Sequence, residues 1–279
     1  MRRILVTGAS GRLGPYLAEA ATDLGAVTTT ARTGGDAPCD LTRKDAVADL
    51  LATMSPDVVI HAAALTDVDV CEDDAVQARL LNEEAVANLV VSLPAGAYFV
   101  QLSTDQVYPD TAGPHTEGTE HPVNVYGRTK LAGERVASSR SPSLVVRTSF
   151  FGPSRTDRRE SLSDFVERRL RRGEPVTLFE DVLFSPLHAA TLSSLIAEAV
   201  ERGLEGLFNV GSREGLSKHD FGIAVAHQLD LSTASATRGR ASSIRGRAPR
   251  PSDLRLDVAR FEKAIGRVLP TLREEIERL

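Results

Sequence analysis

Tyr126 and Lys130 stand in a Y-x-x-x-K spacing within a segment that reads as a helix over 125–139. Four residues make about one helical turn, so the phenol and the ammonium share a face. A cation beside a phenol favours the phenolate, and the spacing therefore predicts a Tyr126 of lowered pKa able to donate a proton near neutral pH. Lys130 is one of four lysines among 33 basic residues, the others being Lys44, Lys218 and Lys263. Arginine does not replace the compact point charge of an ammonium, so a lysine kept at this position argues for a need. Two upstream features give the pair its company: a glycine-rich segment near the N-terminus and the hydroxyls of Ser103-Thr104 at a strand end.

The glycine segment is Gly8-Ala9-Ser10-Gly11-Arg12-Leu13-Gly14, spaced G-x-x-G-x-x-G. It follows the β-branched run 3–7 and precedes a helical stretch over 13–24. Strand, glycine turn and helix are what a dinucleotide pyrophosphate needs: close backbone approach, free N–H groups and the positive end of a helix dipole. A second strand over 26–31 ends in Arg32-Thr33. A site for NAD carries an acidic residue there, whereas Arg32, with Arg12 inside the loop, suits a 2′-phosphate. The predicted cofactor is NADP(H). Asp40, followed by Leu41, has two readings: a contact to the adenine amino group, or a cap for the helix that begins near Arg43.

Strands expected at 3–7, 26–31, 57–61, 97–102 and 143–148 alternate with helices near 13–24, 43–53, 75–93 and 125–139. The alternation predicts an α/β fold, a doubly wound parallel (Rossmann) sheet with a smaller C-terminal lobe for substrate. Residues 1–152 make the expected NADP-binding domain and 153–279 the substrate lobe, with segments of the two interleaved. Beyond Gly152 the expected pieces are helices at 163–172, 190–202, 217–229 and 257–265 and a strand at 207–210. With 279 residues, 42% of them hydrophobic, the chain can bury one large core. A net charge of −5 speaks against nucleic acid or a membrane surface as partner. The absence of a long apolar run and the two cysteines, Cys39 and Cys71, fit a reduced cytoplasm and offer no zinc pattern. No metal site is expected, and a homodimer is left open.

The chain resembles the extended short-chain dehydrogenase/reductase family, in the branch that contains dTDP-4-dehydrorhamnose reductase. The resemblance rests on 7–14, on His61-Ala62-Ala63-Ala64-Leu65-Thr66-Asp67-Val68-Asp69, on 103–108, on 124–134 and on Arg147-Thr148-Ser149-Phe150. Ser185-Pro186, 208–211 and Arg250-Pro251 extend it. It implies that Tyr126 protonates a substrate carbonyl oxygen as hydride arrives, that Lys130 holds the ribose hydroxyls, and that Thr104 orients the reacting oxygen. It adds Ala62, Ala63 and Ala64 to the cofactor site, and Thr66, Asp105, Gln106, Phe150 and Arg250 to the substrate site. Gln106 and Phe150 stand where the branch often carries an aromatic residue and a tryptophan. Asn82 either braces the active-site region or is an ordinary polar helix residue.

The resemblance implies an NADPH-dependent reductase of a small-molecule substrate, a nucleotide-linked keto sugar of the dTDP-4-keto-6-deoxyhexose type. Three alternatives stand beside it: a reductase of a non-nucleotide carbonyl, a sugar-nucleotide epimerase, and a non-catalytic NADP-binding regulatory subunit. Dehydration is disfavoured, because Thr104 is followed by Asp105-Gln106 and not by an Asp-Glu pair. Five arginines between Arg238 and Arg250 read either as a diphosphate clamp or as a solvated loop, with Arg250 the strongest candidate for a phosphate contact.

Overall fold

The fold is that of a computed structural model, which describes residues 1–156 and 160–279. The first half runs β1 (Arg2–Thr7), α1 (Gly14–Ala21), β2 (Gly25–Thr30), α2 (Lys44–Met54), β3 (Val58–His61), α3 (Val68–Asp73) and α4 (Ala75–Arg79). After a π-helical turn at Leu80–Glu84 come α5 (Ala85–Ser92), β4 (Tyr98–Thr104), α6 (Val125–Ser138) and β5 (Ser143–Thr148). The helix expected over 75–93 is therefore three pieces, and α3 was not expected. The second half adds β6 (Phe150–Phe151), α7 (Leu162–Arg171), β7 (Val176–Phe179), β8 (Leu183–Phe184), β9 (Leu187–His188) and α8 (Ala189–Glu201). It ends with β10 (Gly206–Asn209), β11 (Leu216–Ser217), α9 (Lys218–Gln228), β12 (Ala236–Gly239), β13 (Asp253–Leu254), α10 (Ala259–Ile265) and α11 (Leu272–Ile276).

Six parallel strands form the central sheet in the order β10-β5-β4-β3-β1-β2. Residues alternate between its faces: Ile4 and Val6 pack toward α1 and α8, while Leu5, Val59, Phe99 and Val145 pack toward α2 and α5. Burial on both faces is why these strands read as continuous apolar runs. The sixth strand, β10, lies far along the chain and pairs with β5, and α8 packs on α1. A separate cluster around Phe151, Phe184 and Phe221 builds the second lobe over α7, α9 and α11. Part of 238–251, read as loop, is strand: β12 pairs in parallel with β7, and Arg238 and Arg240 meet Glu180. A four-residue strand shows no periodicity of its own, so only its tertiary pairing reveals it. No helix among the described residues is long and apolar enough to cross a membrane.

Arg147 of β5 is wholly buried and pairs with Glu134 of α6, its Nη2 lying 2.7 Å from Oε2 and its Nε 3.0 Å from Oε1. Ser103 of β4 donates to the same carboxylate, and Arg147 also donates to Tyr108. Removing one partner of a buried pair leaves an uncompensated charge, which costs about 3–5 kcal/mol. Arg147→Met should therefore lower the unfolding free energy by about that amount in urea titration. A loss below about 1 kcal/mol would show that Glu134 does not depend on Arg147.

Candidate active site

Helix α6 places the central pair. Its N-cap is Asn124, whose Oδ1 accepts from Gly127 N at 2.7 Å while Nδ2 donates to Gln106 Oε1 and Pro249 O. Gly127 is obligatory on steric grounds, since a Cβ there would sit 2.2 Å from the Gln106 carbonyl oxygen. Further along, Gly133 lets the helix press against the carbonyl of Asn82 in the π turn. Asn82 is buried, accepts from Leu65 N at 2.9 Å, and donates to Leu65 O and to Thr129 Oγ1. Of its two readings, bracing between the post-β3 loop and α6 is the one the contacts support.

Tyr126, Lys130 and Thr104 converge at one end of a cavity of about 520 Å³. The Thr104 hydroxyl is within hydrogen-bonding reach of the phenol, accepts from Gln106 N at 3.2 Å and donates to Asp105 Oδ1 at 3.2 Å. The expected lowering of Tyr126 by Lys130 is not what the site shows. Burial raises the Tyr126 pKa, and the contact with Thr104 only partly offsets it. The Lys130 ammonium instead donates to the Leu102 carbonyl at 2.6 Å, and burial lowers it to about 8 against the opposing pull of Glu134. Sharing a helix face brings two groups near each other, but the loss of solvent outweighs that proximity.

The other end of the cavity is the glycine turn. Gly8 has φ +77°, and a Cβ there would meet the backbone of Ala62 and Ala63 at 2.6–2.9 Å. Gly14 lies so close to the turn that its Cβ would be 2.4 Å from Gly8 O. Ser10, Gly11, Arg12 and Leu13 line the same wall, with Arg32, Asp40, Leu41 and Ala62 to Ala64 opposite. A bare backbone cradle at a helix N-terminus, with two arginines beside it, fits a dinucleotide carrying a further phosphate. Asp40 does not cap α2, whose N-cap is Arg43; its carboxylate accepts from Thr42 N and Oγ1, which hold its pKa low.

Thr66, Asp105 and Phe150 also line the cavity, and the Arg12 guanidinium lies 5.2 Å from the Phe150 ring centre. Thr33, Gln106 and Arg250 are not in its lining. Thr33 is exposed beyond β2, and Gln106 is held by Asn124. Arg250 forms a bidentate pair with Asp69, at 2.7 and 3.0 Å, whose hydrogen bonds lower the Asp69 pKa to about 2. Asn124, Ser149 and Glu134 lie in segments that carry the resemblance, but sequence reading gave none of them a role. Asn124 left a local signal of its own, a capping residue three before Gly127. Among the described residues no group of three or more His, Cys, Asp or Glu side chains could hold a metal ion.

Compared with known proteins, the chain matches the family model described as RmlD substrate binding domain over residues 1–279. It is 30% identical to the probable low-salt glycan biosynthesis reductase Agl14 of Haloferax volcanii, covering 98% of this chain and 96% of that one. It is 36% identical to the dTDP-4-dehydrorhamnose reductase of Mycolicibacterium smegmatis over 78% of this chain and 67% of that one. A solved structure of dTDP-4-dehydrorhamnose reductase from Bacillus anthracis in complex with NADP superposes with a TM-score of 0.91 at 23% identity, covering 99% of this chain and 98% of that one.

Asp105 makes a pH test of this geometry. Burial raises its pKa from 3.8 to about 6, with Ser149, Thr104 and Lys218 opposing. A carboxyl raised on folding adds stability that is complete below its unfolded pKa and is lost as pH climbs through the folded one. The protein should therefore lose about 2–3 kcal/mol of this contribution between pH 4 and 7, and Asp105→Asn should remove that part of the slope. Denaturant midpoints measured across the window check this; parallel slopes in both proteins would refute it.

Proposed function

This chain belongs to the RmlD substrate binding domain family, and from that membership we propose that it is an NADPH-dependent reductase. Its substrate on this reading is the keto group of a nucleotide-linked sugar of the dTDP-4-keto-6-deoxyhexose type. The observation that carries it is one continuous cavity, with a glycine cradle and arginines at one end and Tyr126, Thr104 and Lys130 at the other. The reductases among its relatives and the NADP in the Bacillus anthracis structure support the same reading.

Bound NADPH supplies a hydride to the carbonyl carbon. Gly8, Gly11 and Gly14 would take its pyrophosphate on the backbone, and Arg12 and Arg32 the 2′-phosphate. Lys130, whose ammonium lies at the Leu102 carbonyl near the end of β4, would hold the ribose hydroxyls. As the carbon–oxygen π pair moves onto oxygen, the phenol of Tyr126 gives its proton to that oxygen. A raised pKa suits this direction: the phenol is fully protonated at neutral pH, and a developing alkoxide is basic enough to take its proton. The resulting phenolate regains a proton from solvent. Thr104 fixes the phenol and the reacting oxygen relative to each other.

Oxidation of NADPH in the presence of a TDP-4-keto-6-deoxyhexose tests the proposal. Tyr126→Phe should lower turnover by about 10²–10⁴-fold with NADPH affinity unchanged. Full activity in that variant would sink the mechanism. Binding of NADPH without turnover of any carbonyl would point to a non-catalytic subunit. Arg32→Asp should raise the NADH/NADPH ratio of kcat/KM, and an unchanged ratio would remove Arg32 from the phosphate site.

A further inference from the structure

Val125 is the first residue of α6 and Tyr126 the second. The opening N–H groups of a helix have no acceptor within it, and an end without outside partners frays. A proton donor carried there moves with its turn unless something beyond the helix holds the backbone. Asn124 supplies one acceptor, to Gly127 N, and the first intrahelical bond runs from Arg128 N to Asn124 O at 3.0 Å. Val125 N, next to Tyr126, is served from another part of the chain. It donates to Oε2 of Glu72, in α3 and 53 residues earlier, at 2.9 Å.

A carboxylate suits this position in two ways. It accepts a charge-assisted hydrogen bond, and its charge complements the positive end of the α6 dipole. Its other oxygen faces Nη2 of Arg128, in the same turn, at 3.9 Å. With those side chains 35% and 52% exposed, the ion pair adds little, so the contact to the backbone is the one that fixes the helix end. The residue before Glu72 approaches the same turn from the inside. Cys71 is wholly buried in a cluster with Tyr126 and Ala78, which Leu65, Val68 and Val125 complete. Helix α3 thus meets the start of α6 twice, packing beside Tyr126 through Cys71 and holding the backbone through Glu72. Its own start is fixed by Asp67, whose carboxylate accepts from Asp69 N and Val70 N.

We propose that Glu72 is a positioning residue for Tyr126: by accepting from Val125 N it keeps the first turn of α6 wound and the phenol at the reacting oxygen. Glu72 is not in the lining of the cavity, so it acts through the backbone of α6 and not on substrate or cofactor. This deepens the reductase reading and rests on it for what Tyr126 does. Displacing a reacting group by about 1 Å costs about 10²-fold in rate. Loosening this one turn should therefore appear in kcat and spare NADPH affinity, which is set at the glycine cradle.

The test compares Glu72→Ala with Glu72→Gln, whose amide oxygen can still accept from Val125 N. With NADPH and a TDP-4-keto-6-deoxyhexose, Glu72→Ala should lower kcat about tenfold at unchanged NADPH affinity, and Glu72→Gln should keep most of the turnover. An unaltered kcat in Glu72→Ala, or an equal loss in both variants, would overturn the proposal. A second readout needs no turnover. The chain has four tyrosines, so carbon NMR of the NADP-loaded protein with labelled phenol carbons gives four signals, with that of Tyr126 identified by Tyr126→Phe. Glu72→Ala should shift or broaden the Tyr126 signal and leave those of Tyr16, Tyr98 and Tyr108 in place, while Glu72→Gln should leave all four. An unmoved Tyr126 signal in Glu72→Ala would overturn the positioning role. A moved signal in a protein that reduces no carbonyl compound would support it and count against the reductase reading alone.

Discussion

The buried pair of Arg147 and Glu134 is the constraint on which the site depends. It joins three elements at the point where each is about to deliver a functional group. Ser103, which donates to Glu134, precedes Thr104; Arg147 precedes Thr148, which lines the cavity; Glu134 lies one turn beyond Lys130. Sliding α6 along the sheet by one residue would strand a guanidinium and a carboxylate away from water. The pair is thus better understood as fixing register than as adding net stability, because desolvating two ions costs much of what their attraction returns. Small residues complete the fix from the other side, with Gly127 against the Gln106 carbonyl and Gly133 against Asn82.

This packing sets the electrostatics of the site. The groups that hold α6 in place also exclude water from Tyr126 and Lys130, so both neutral forms are favoured. The phenol keeps its proton, and the ammonium is steadied by the Leu102 carbonyl and by Glu134. An acid that must give up a proton only to a developing alkoxide benefits from being fully protonated beforehand. A lowered phenol would suit the reverse reaction better. Burial therefore agrees with the proposed direction of chemistry, whereas helix spacing alone pointed to the opposite shift.

Much of the fold was legible because its signals are local. The apolar runs of β1, β3, β4 and β5, the glycine turn before α1 and the Tyr126–Lys130 spacing each lie within a few residues of sequence. What was not legible depends on contacts between distant segments. The strands β7, β8, β12 and β13 have two to four residues each and exist through their partners. The π turn at Leu80–Glu84, which turns Asn82 toward both Leu65 and Thr129, has no pattern of its own. Arg250 illustrates the same limit. Its type suggested a phosphate contact, but its guanidinium spans the Asp69 carboxylate, and Ala248 N donates to that carboxylate as well.

That last contact shows how the second lobe is seated. Asp69 holds the segment around Arg250, Asn124 holds Pro249, and Asp110 accepts from Ser252. Each anchor lies in the first half of the chain, and Asn124 is also the cap that begins α6. The segment that carries Arg247 and Arg250 past Lys218 is therefore tied to the residue that fixes Tyr126. The lining of the cavity, Tyr126 included, comes from residues up to Thr156, so the phenol and its surroundings are fixed by the sheet and α6.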